Sequence, residues 1–353
     1  MKTVFVGLSG GVDSAVSAAL LKEQGYDVVG AFIKIWQPEF IECTWKEDRL
    51  DAMRVAVALG IPFLEVDLSE SYKEHVIEDM LKNYSAGVTP NPDILCNTHI
   101  KFGDFADWAF SSGADFIATG HYARVDPPAG VGDGMSALLR GVDGEKDQSY
   151  FLCGLERDVL SRTLFPIGGM KKSEVRALAE RFKLPNSRRP DSQGLCFVGD
   201  ITLKDFLRRF IPVVPGPVVD MKGNVIGSHE GAALYTIGQR HGFSVPSTGR
   251  DVHIHYVTGI DTATNTLRVS ENRADSAKKE ALFGRVHWIG REPQLPYEAE
   301  VETRYREKPI RALIESSGGH FRAHFAEPHI FSPGQSIVIY DDSQLLGSGV
   351  INK

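Results

Sequence analysis

The feature that most constrains this chain is a glycine-rich loop between a short apolar strand and a helix near the N-terminus. Residues 9–14 are Ser-Gly-Gly-Val-Asp-Ser; residues 4–8 predict a strand and residues 13–24 a helix. Glycines let successive backbone N–H groups converge on an anion, and the positive end of the helix adds to the attraction. The pattern therefore predicts a phosphate-binding loop.

The loop carries no lysine, which separates it from the nucleotide loops of kinases and GTPases. Those loops place a lysine on the outer phosphates, where the γ-phosphoryl group is transferred or hydrolysed. The motif instead resembles the pyrophosphatase loop of enzymes that split ATP between its α and β phosphates to adenylate an oxygen. A glycine turn without a ligand is the simpler alternative, which this six-residue pattern at a strand-to-helix junction disfavours.

Strand and helix signals alternate over the first 120 residues, which predicts a doubly wound α/β parallel sheet. The further strands are expected at residues 28–35, 63–67 and 116–119, with helical spacing of apolar residues between them. Ligands of such sheets bind beyond the carboxyl ends of the strands. The loops that follow the four strands should therefore face one site.

A chain of 353 residues exceeds the usual size of one hydrophobic core. After residue 200 the pattern changes to an amphipathic helix at residues 201–211 and then to short alternating strands with hairpin turns. We predict an ATP pyrophosphatase domain over residues 1–200, a small central β-rich domain over 201–272 and a C-terminal β-barrel domain over 273–353.

The start of the chain shows no signal-peptide pattern, and no stretch approaches the roughly 20 apolar residues of a membrane span. We therefore expect a cytoplasmic protein without a membrane partner. The four cysteines contain no C-x-x-C pair, which disfavours a disulfide framework and a zinc site. A cytosolic thiol remains available as a nucleophile.

The formal net charge of −7 argues mildly against nucleic acid as a partner. Residues 157–189 nevertheless contain nine Lys and Arg against three Asp and Glu. Such a segment is either a solvated helix face or a phosphate-binding surface.

A second candidate cluster is the segment 89–97, Thr-Pro-Asn-Pro-Asp-Ile-Leu-Cys-Asn, which is followed by a Lys-Phe pair at 101–102. Its two prolines stiffen the backbone that displays Asn91, Asp93 and Cys96. Asn91 offers an amide to a base edge, Asp93 can move a proton, and Cys96 can act as a thiolate. Turn formation and burial of a small thiol are the ordinary alternatives.

The third cluster, residues 191–199, contains Cys196 after a flexible glycine. Arg188 and Arg189 lie just upstream, and their charge would lower the pKa of the thiol. One hundred residues separate Cys196 from Cys96, so only the fold can bring the two thiols together.

Eight segments occur in the order found in bacterial tRNA-specific 2-thiouridylases, and the resemblance covers essentially the whole chain. The segments are residues 9–14, 89–102, 118–122, 146–152, 191–199, 235–240, 303–306 and 333–335. The family converts the wobble uridine of certain tRNAs to 2-thiouridine, so the resemblance implies an ATP-dependent sulfurtransferase. Isoleucines at positions 33 and 35 stand where relatives have methionine and asparagine, and the loss of a polar residue at 35 is unexplained.

The resemblance also implies the site residues. The nucleotide would be bound by Gly7, Leu8, Ser9, Gly10, Gly11, Val12, Asp13, Ser14, Ile33 and Gly120. The target base, extruded from the anticodon stack, would be held by Asn91, Pro92 and Asp93. tRNA would be contacted by His121, Lys146, Asp147, Gln148, Arg304, Tyr305 and Gln335. A basic helical tRNA-binding segment is expected at about residues 155–190, where phosphates would be met by Lys171, Lys172, Arg176 and Arg181.

The catalytic residues that the resemblance implies are Cys196, which would carry sulfur as a persulfide, and Cys96 as the second thiol. Asp93 is our candidate proton shuttle. Cys96 would either release the sulfur, leaving a disulfide, or assist at C2 of the uridine. Cys43 and Cys153 match nothing catalytic, and Cys153 is expected to be buried beside Phe151 and Leu152.

The expected substrates are ATP with Mg²⁺ and the tRNAs for Lys, Glu and Gln, and the sulfur donor would be a cysteine desulfurase or a persulfide relay protein. No tightly bound cofactor is expected, although an iron–sulfur cluster on Cys96, Cys196 and one further cysteine is an alternative. Two other functions remain open at this point. One is a pyrophosphatase that activates a different nucleotide or small substrate, and the other is a non-catalytic RNA-binding protein.

Overall fold

The computed structural model describes residues 1–41, 45–127, 136–191, 201–246 and 253–353. Its strands are β1 (Thr3–Gly7), β2 (Asp27–Lys34), β3 (Phe63–Asp67), β4 (Phe116–Ala118), β5 (Ala123–Asp126), β6 (Ala137–Arg140), β7 (Thr163–Leu164), β8 (Gly216–Val219), β9 (Val225–His229), β10 (Tyr256–Asp261), β11 (Thr266–Ser270), β12 (Lys278–Phe283), β13 (His287–Trp288), β14 (Tyr297–Glu302), β15 (Ile310–Ser317), β16 (His320–His329), β17 (Ser336–Asp341) and β18 (Gln344–Val350).

The α-helices are α1 (Val12–Glu23), α2 (Trp45–Leu59), α3 (Ser69–Tyr72), α4 (Asp79–Ser85), α5 (Pro92–Leu95), α6 (Phe105–Ser111), α7 (Arg157–Leu160), α8 (Lys172–Arg181) and α9 (Leu203–Phe210). Short 3₁₀ turns occur at Ser149–Leu152, Ala232–Leu234 and Arg273–Ser276. No helix in the described ranges has the length and apolar character needed to cross a bilayer.

Two π-helical segments make longer continuous helices out of the short ones. Lys73–Glu78 joins α3 to α4, and Cys96–Asp104 joins α5 to α6. A π-helix pairs residues five apart and shifts the side chains that share a face. Apolar side chains on one face of residues 73–78 are therefore not expected to follow the 3.6-residue spacing of an α-helix.

The N-terminal part contains a five-stranded parallel sheet in the order β3-β2-β1-β4-β7. Side chains of β1 alternate between two buried cores: Val4 and Val6 pack with α1, α2 and α8, whereas Phe5 packs with α6. Burial on both faces accounts for the uninterrupted apolar sequence of the strand. The predicted doubly wound α/β fold is confirmed, with strand bounds within one residue of those expected.

The next 70 residues form a small sheet in the order β10-β11-β8-β9. The antiparallel pairs β8–β9 and β10–β11 are the two hairpins that the turn residues predicted. Helix α9 precedes them, and its Phe206 and Leu207 are buried in a core that also contains Cys96. The central β-rich part therefore packs on the helix that carries the predicted catalytic loop.

The C-terminal strands lie in one large sheet in the order β12-β16-β15-β14-β17-β18-β6-β5. An isolated bridge between Phe283 and Ile351 connects the end of β12 with the residue after β18. The β5–β6 hairpin comes from the N-terminal part of the sequence and pairs with β18 through Leu138 and Leu139. Sequence reasoning missed this hairpin, which ties the first part of the chain to the last.

Candidate active site

The loop after β1 is organised by its two serines. Ser14 Oγ accepts a hydrogen bond from the backbone N–H of Ser9 at 3.2 Å and donates to the carbonyl of Gly11 at 3.2 Å. Gly10 has a φ of +77°, and a Cβ there would lie 2.5 Å from the carbonyl oxygen of Asp48. Only glycine fits this position. The loop thus turns sharply into the N-terminus of α1, as a phosphate-binding loop requires.

A segment near residue 190 fixes the loop from outside. Asn186 is buried and its Nδ2 donates to the carbonyl of Gly10 at 2.7 Å. Arg189 forms ion pairs with Asp48 and Asp51 at the start of α2. The chain that leads toward Cys196 is therefore bound to the glycine-rich loop.

Gly120 and Ile33, two of the residues predicted to bind the nucleotide, lie beside the loop at the carboxyl edge of the sheet. A Cβ on Gly120 would approach the backbone nitrogen of Ser14 to 2.6 Å, so only glycine permits this contact. Ile33 Cδ1 lies 3.9 Å from the position of a Cβ on Gly7. The loops after β1 and β4 and the end of β2 therefore meet at one edge.

A cluster of charges surrounds Asp13, the carboxylate of the loop. Lys172 Nζ donates to Asp13 Oδ1 at 2.7 Å and to Oδ2 at 2.9 Å, and the Tyr122 hydroxyl donates to Oδ1 at 3.0 Å. The same ammonium contacts Asp191 Oδ1 at 2.8 Å. Lys172 thereby links the loop to the residue with which the third predicted cluster begins.

Asp191 is also paired with Lys146 at 2.8 Å and with Arg176 at 2.6 Å. Burial opposes its ionisation, but the hydrogen bonds from Lys146 and Lys172 outweigh that effect and lower the pKa of the carboxyl group. Asp191 is therefore ionised at neutral pH, and it gathers three basic side chains at this edge of the sheet.

Asn91 caps the helix that begins with α5. Its Oδ1 accepts from the backbone nitrogens of Asp93 at 3.2 Å and Ile94 at 3.3 Å, and Pro92 occupies the first helical position. Burial raises the pKa of the Asp93 carboxyl, although the positive charge of Lys101 opposes that shift. A carboxyl group with a raised pKa can exchange a proton nearer to neutral pH.

Cys96 follows directly at the start of the π-helical segment, and its side chain is 8% exposed. Further along this segment, the ring of Phe102 lies 5.7 Å from that of His121. Thr119 Oγ1 and His121 Nδ1 are 2.7 Å apart, and burial lowers the pKa of the imidazole. The helix that carries Cys96 therefore contacts the loop whose Gly120 touches the phosphate-binding loop.

Several residues that are predicted to contact tRNA form hydrogen bonds, ion pairs or ring contacts within the protein. Asp147 accepts from the backbone nitrogen of Gly141 at 2.8 Å, and Gln148 Oε1 accepts from that of Tyr122 at 3.0 Å. The Tyr305 ring packs 4.3 Å from that of Phe151. Arg304 has a half-exposed side chain, paired with Glu307 at 3.0 Å. The tRNA contacts remain predictions.

The basic segment is only partly directed toward solvent. Lys172 and Arg176 point into the charge cluster, Arg181 pairs with Glu23 at 2.8 Å, and Lys171 is exposed. Sequence reasoning found the charge of this segment but missed its contact with Asp13. It also missed Asn186. Nothing in the sequence around Lys172 or Asn186 indicates these contacts, because their partners lie more than 150 residues away in the chain.

Cys153 is 1% exposed and lies in a core with Leu152, against which Phe151 packs, as predicted. Burial raises the pKa of the Cys153 thiol to about 11. Cys43 and Cys196 lie outside the described residues, as do Ser192 to Asp200. Cys96 belongs to a different core from Cys153. The described part of the chain contains no group of three or more His, Cys, Asp and Glu side chains placed to bind a metal.

Family models match almost the whole chain. They are a tRNA methyl transferase HUP domain over residues 2–200, a tRNA methyl transferase PRC-barrel domain over 204–271 and an aminomethyltransferase β-barrel domain over 278–351. Among solved structures, the U34-tRNA thiolase NcsA from Methanococcus maripaludis is 21% identical, with a TM-score of 0.35 over 56% of this chain and 61% of that chain. This likeness is too low to add to the assignment.

Two curated relatives are much more similar. The tRNA-specific 2-thiouridylase MnmA of Janthinobacterium sp. (strain Marseille) is 41% identical over 99% of this chain and 98% of its own length. The protein of the same name from Verminephrobacter eiseniae (strain EF01-2) is 45% identical over 99% of this chain and 97% of its own length. The chain belongs to the family of tRNA-specific 2-thiouridylases.

Proposed function

We propose that this chain uses ATP to replace the C2 oxygen of the wobble uridine of tRNA with sulfur. One observation carries the proposal beyond family membership: neighbouring residues join the two halves of the site. Gly120 abuts the phosphate-binding loop at Ser14, and His121 packs on Phe102 of the helix that carries Cys96. This contact supports a site in which the helix that carries Cys96 lies against the loop that adjoins the phosphate-binding loop.

The first step is adenylation. The C2 oxygen of uracil is a very poor leaving group, so it must first be converted into a better one. It attacks the α-phosphorus of ATP, the bond to the β-phosphate breaks, and pyrophosphate leaves with the electron pair. Backbone N–H groups of residues 9–14 and the N-terminus of α1 would bind the phosphates, and Ile33 and Gly120 would line the nucleotide pocket.

The second step transfers the sulfur. Cys96 thiolate attacks the inner sulfur of a Cys196 persulfide, which forms a Cys96–Cys196 disulfide and releases hydrosulfide. The hydrosulfide attacks C2 and expels AMP. An external dithiol then reduces the disulfide for the next turnover. Asp93, three residues before Cys96 and with a raised pKa, is the candidate to move the proton.

Asn91, Pro92 and Asp93 would hold the extruded uridine. The cap that Asn91 forms uses its Oδ1, which fixes the side chain at the start of the helix. tRNA would be contacted by His121, Lys146, Asp147, Gln148, Arg304 and Tyr305, among which Arg304 offers a half-exposed guanidinium. Gln335 instead donates to the backbone of Thr89 and Pro90 and would position the loop before Asn91. The expected tRNAs are those for Lys, Glu and Gln, and the donor is a cysteine desulfurase or a persulfide relay protein.

The residues at the loop fit a magnesium ion delivered with ATP. Asp13 and the hydroxyls of Ser9 and Ser14 are oxygen donors, which Mg²⁺ prefers over nitrogen or sulfur. Mg²⁺ usually keeps several waters and takes only one or two protein carboxylates alongside substrate phosphates. When bound it would neutralise phosphate charge, and Asp13 is the loop carboxylate that would hold it, in place of the Lys172 ammonium from which it accepts here.

The decisive experiment is mass spectrometry of nucleosides from a tRNA transcript incubated with the protein, ATP, Mg²⁺, a desulfurase with cysteine, and a dithiol. We expect 2-thiouridine with the wild type and with Cys153→Ala, whose buried thiol serves as the matched control. Cys96→Ser and Cys196→Ser should form none. Absence of 2-thiouridine with the wild type, or full activity of Cys196→Ser, contradicts the proposal.

The sulfur route is tested separately in a single turnover without reductant. The disulfide route predicts a peptide that links Cys96 to Cys196, in proportion to the 2-thiouridine formed. Product without this cross-linked peptide would indicate that Cys96 instead acts at C2.

A further inference from the structure

The phosphate-binding loop has no lysine of its own, but the fold brings one to it from 159 residues away. Lys172 lies at the first position of α8, and its ammonium donates to both carboxylate oxygens of Asp13. Its side chain is 16% exposed. A positive charge with so little solvent around it interacts strongly with any anion that enters the loop.

The position of Lys172 is fixed by its backbone as well as by its side chain. Its N–H donates to Asp143 Oδ2 at 2.9 Å. Val175 and Ala179, which follow on the same helix, are fully buried against α1 in a shared core. The helix that presents the ammonium is therefore packed on the helix that begins at the phosphate-binding loop.

Lys172 can leave the cluster while both carboxylates keep other donors. Asp191 keeps Lys146 on Oδ2 and Arg176 on Oδ1 if Lys172 moves away from it. Asp13 likewise keeps the hydrogen bond from the Tyr122 hydroxyl. Neither carboxylate is left without a hydrogen-bond donor when the ammonium turns toward a phosphate, and the phosphate oxygens replace the carboxylate oxygens as its acceptors.

We propose that Lys172 binds the β- and γ-phosphates of ATP and stabilises the negative charge that develops on pyrophosphate during adenylation. This inference rests on the proposed function and adds a residue to it. The lysine neither gives nor takes a proton. When the bond between the α-phosphorus and the bridging oxygen breaks, that oxygen keeps the electron pair, and the ammonium stabilises the negative charge that forms on it. Lys172 would thus supply from α8 the positive charge that, in the nucleotide loops of kinases and GTPases, comes from a lysine of the loop itself.

The test compares ligands that differ in their outer phosphates. Isothermal titration of the full-length protein, without tRNA, would measure binding of α,β-methylene-ATP with Mg²⁺, of pyrophosphate with Mg²⁺ and of AMP. We expect Lys172→Met to weaken the first two by about ten- to hundredfold and to leave AMP affinity within about threefold of the wild type. Lys172→Arg should recover part of the loss, and Lys171→Met, which changes the exposed neighbour, should behave as the wild type.

Equal weakening of AMP and of the ATP analogue in Lys172→Met would show that the residue only shapes the loop and would overturn the inference. Unchanged affinity for all three ligands would overturn it too. A melting temperature measured for each variant identifies any loss of fold. If Lys172→Met does not fold, Lys172→Arg is compared with the wild type for the same three ligands. Failure of the proposed function itself is distinct, since the wild type would then bind no ATP analogue or form no 2-thiouridine.

Discussion

Gln335 Nε2, just before β17, donates to the carbonyl oxygen of Thr89 at 2.8 Å and to that of Pro90 at 3.2 Å. The backbone nitrogen of Thr89 donates in turn to the carbonyl of Pro333 at 3.0 Å. Thr89 Oγ1 also lies 3.1 Å from Thr236 Oγ1 of the central β-rich part. Both β-rich parts therefore contact Thr89, two residues before Asn91, where the candidate catalytic helix begins.

Replacing Gln335 with alanine should slow catalysis more than it weakens tRNA binding. The substitution removes two hydrogen bonds that fix the loop before Asn91, and small misplacements of reacting groups are costly in rate. We expect kcat for 2-thiouridine formation to fall by about tenfold, with tRNA affinity in a filter-binding assay within about threefold of the wild type.

Arg304→Ala is the matched contrast for Gln335→Ala. Its half-exposed guanidinium is a predicted phosphate or base contact, so this substitution should weaken tRNA binding and flatten its salt dependence. If Gln335→Ala lowers tRNA affinity and leaves kcat unchanged, Gln335 is a tRNA contact instead of a positioning residue.

Asp93→Asn should remove activity and stabilise the fold above acidic pH. Because burial raises the pKa of Asp93 in the folded protein, ionising it costs stability as pH rises from its ordinary value of 3.8 through the raised value. The asparagine carries no such cost. Urea unfolding from pH 4 to pH 8 should show a stability advantage for the variant that grows with pH.

Asp107→Asn, on the exposed side of the same helix, is the control for Asp93→Asn. Its difference from the wild type should stay nearly constant over the same pH range. An Asp93→Asn variant that is less stable than the wild type at pH 8 would mean that the ionised carboxylate is stabilised by its surroundings.

Glu307→Gln should have the opposite pH dependence. Burial opposes ionisation of Glu307, but hydrogen bonds from His329 and Thr303 outweigh it and lower the pKa to about 2. Its stabilising contribution is therefore present above the ordinary value of 4.5 and is lost as pH falls toward about 2. We expect the variant to be less stable by roughly 1–3 kcal/mol at pH 7, measured by urea unfolding.

That deficit should shrink as pH falls below 4.5. Glu327→Gln, at an exposed position in the same part of the chain, should match the wild type throughout. A deficit that is the same at pH 3 and pH 7 would indicate lost packing instead of a lost charged group.

The sequence predicted the parts of the fold that depend on local pattern. The strand before the loop, helix α1 and the hairpins at β8–β9 and β10–β11 follow from residue spacing and turn chemistry. The β5–β6 hairpin was missed because its strands are short and pair with β18, more than 200 residues away. No local pattern records a partner at that distance.

The candidate site divides in the same way. The glycine-rich loop and the Asn-Pro-Asp turn are short continuous motifs, so the sequence alone was enough to propose their residues as site residues. Lys172 and Asn186 act through contacts with Asp13 and Gly10, which only the packing of α8 on α1 creates. Sequence reasoning placed Lys172 on a surface for tRNA because its charge was visible and its partner was not.

Gly120→Ala should weaken ATP binding by pushing on the phosphate-binding loop. A Cβ at this position would lie 2.6 Å from the backbone nitrogen of Ser14 and 2.8 Å from the carbonyl carbon of Asp13, and backbone cannot move aside as a flexible side chain can. We expect the dissociation constant for α,β-methylene-ATP to rise about tenfold or more, measured by isothermal titration. Gly144→Ala is the matched control, because a Cβ there meets no atom within 4 Å among the described residues. Wild-type affinity in Gly120→Ala would show that the loop after β4 moves freely relative to α1, and the close approach of Gly120 would then have no part in forming the nucleotide site.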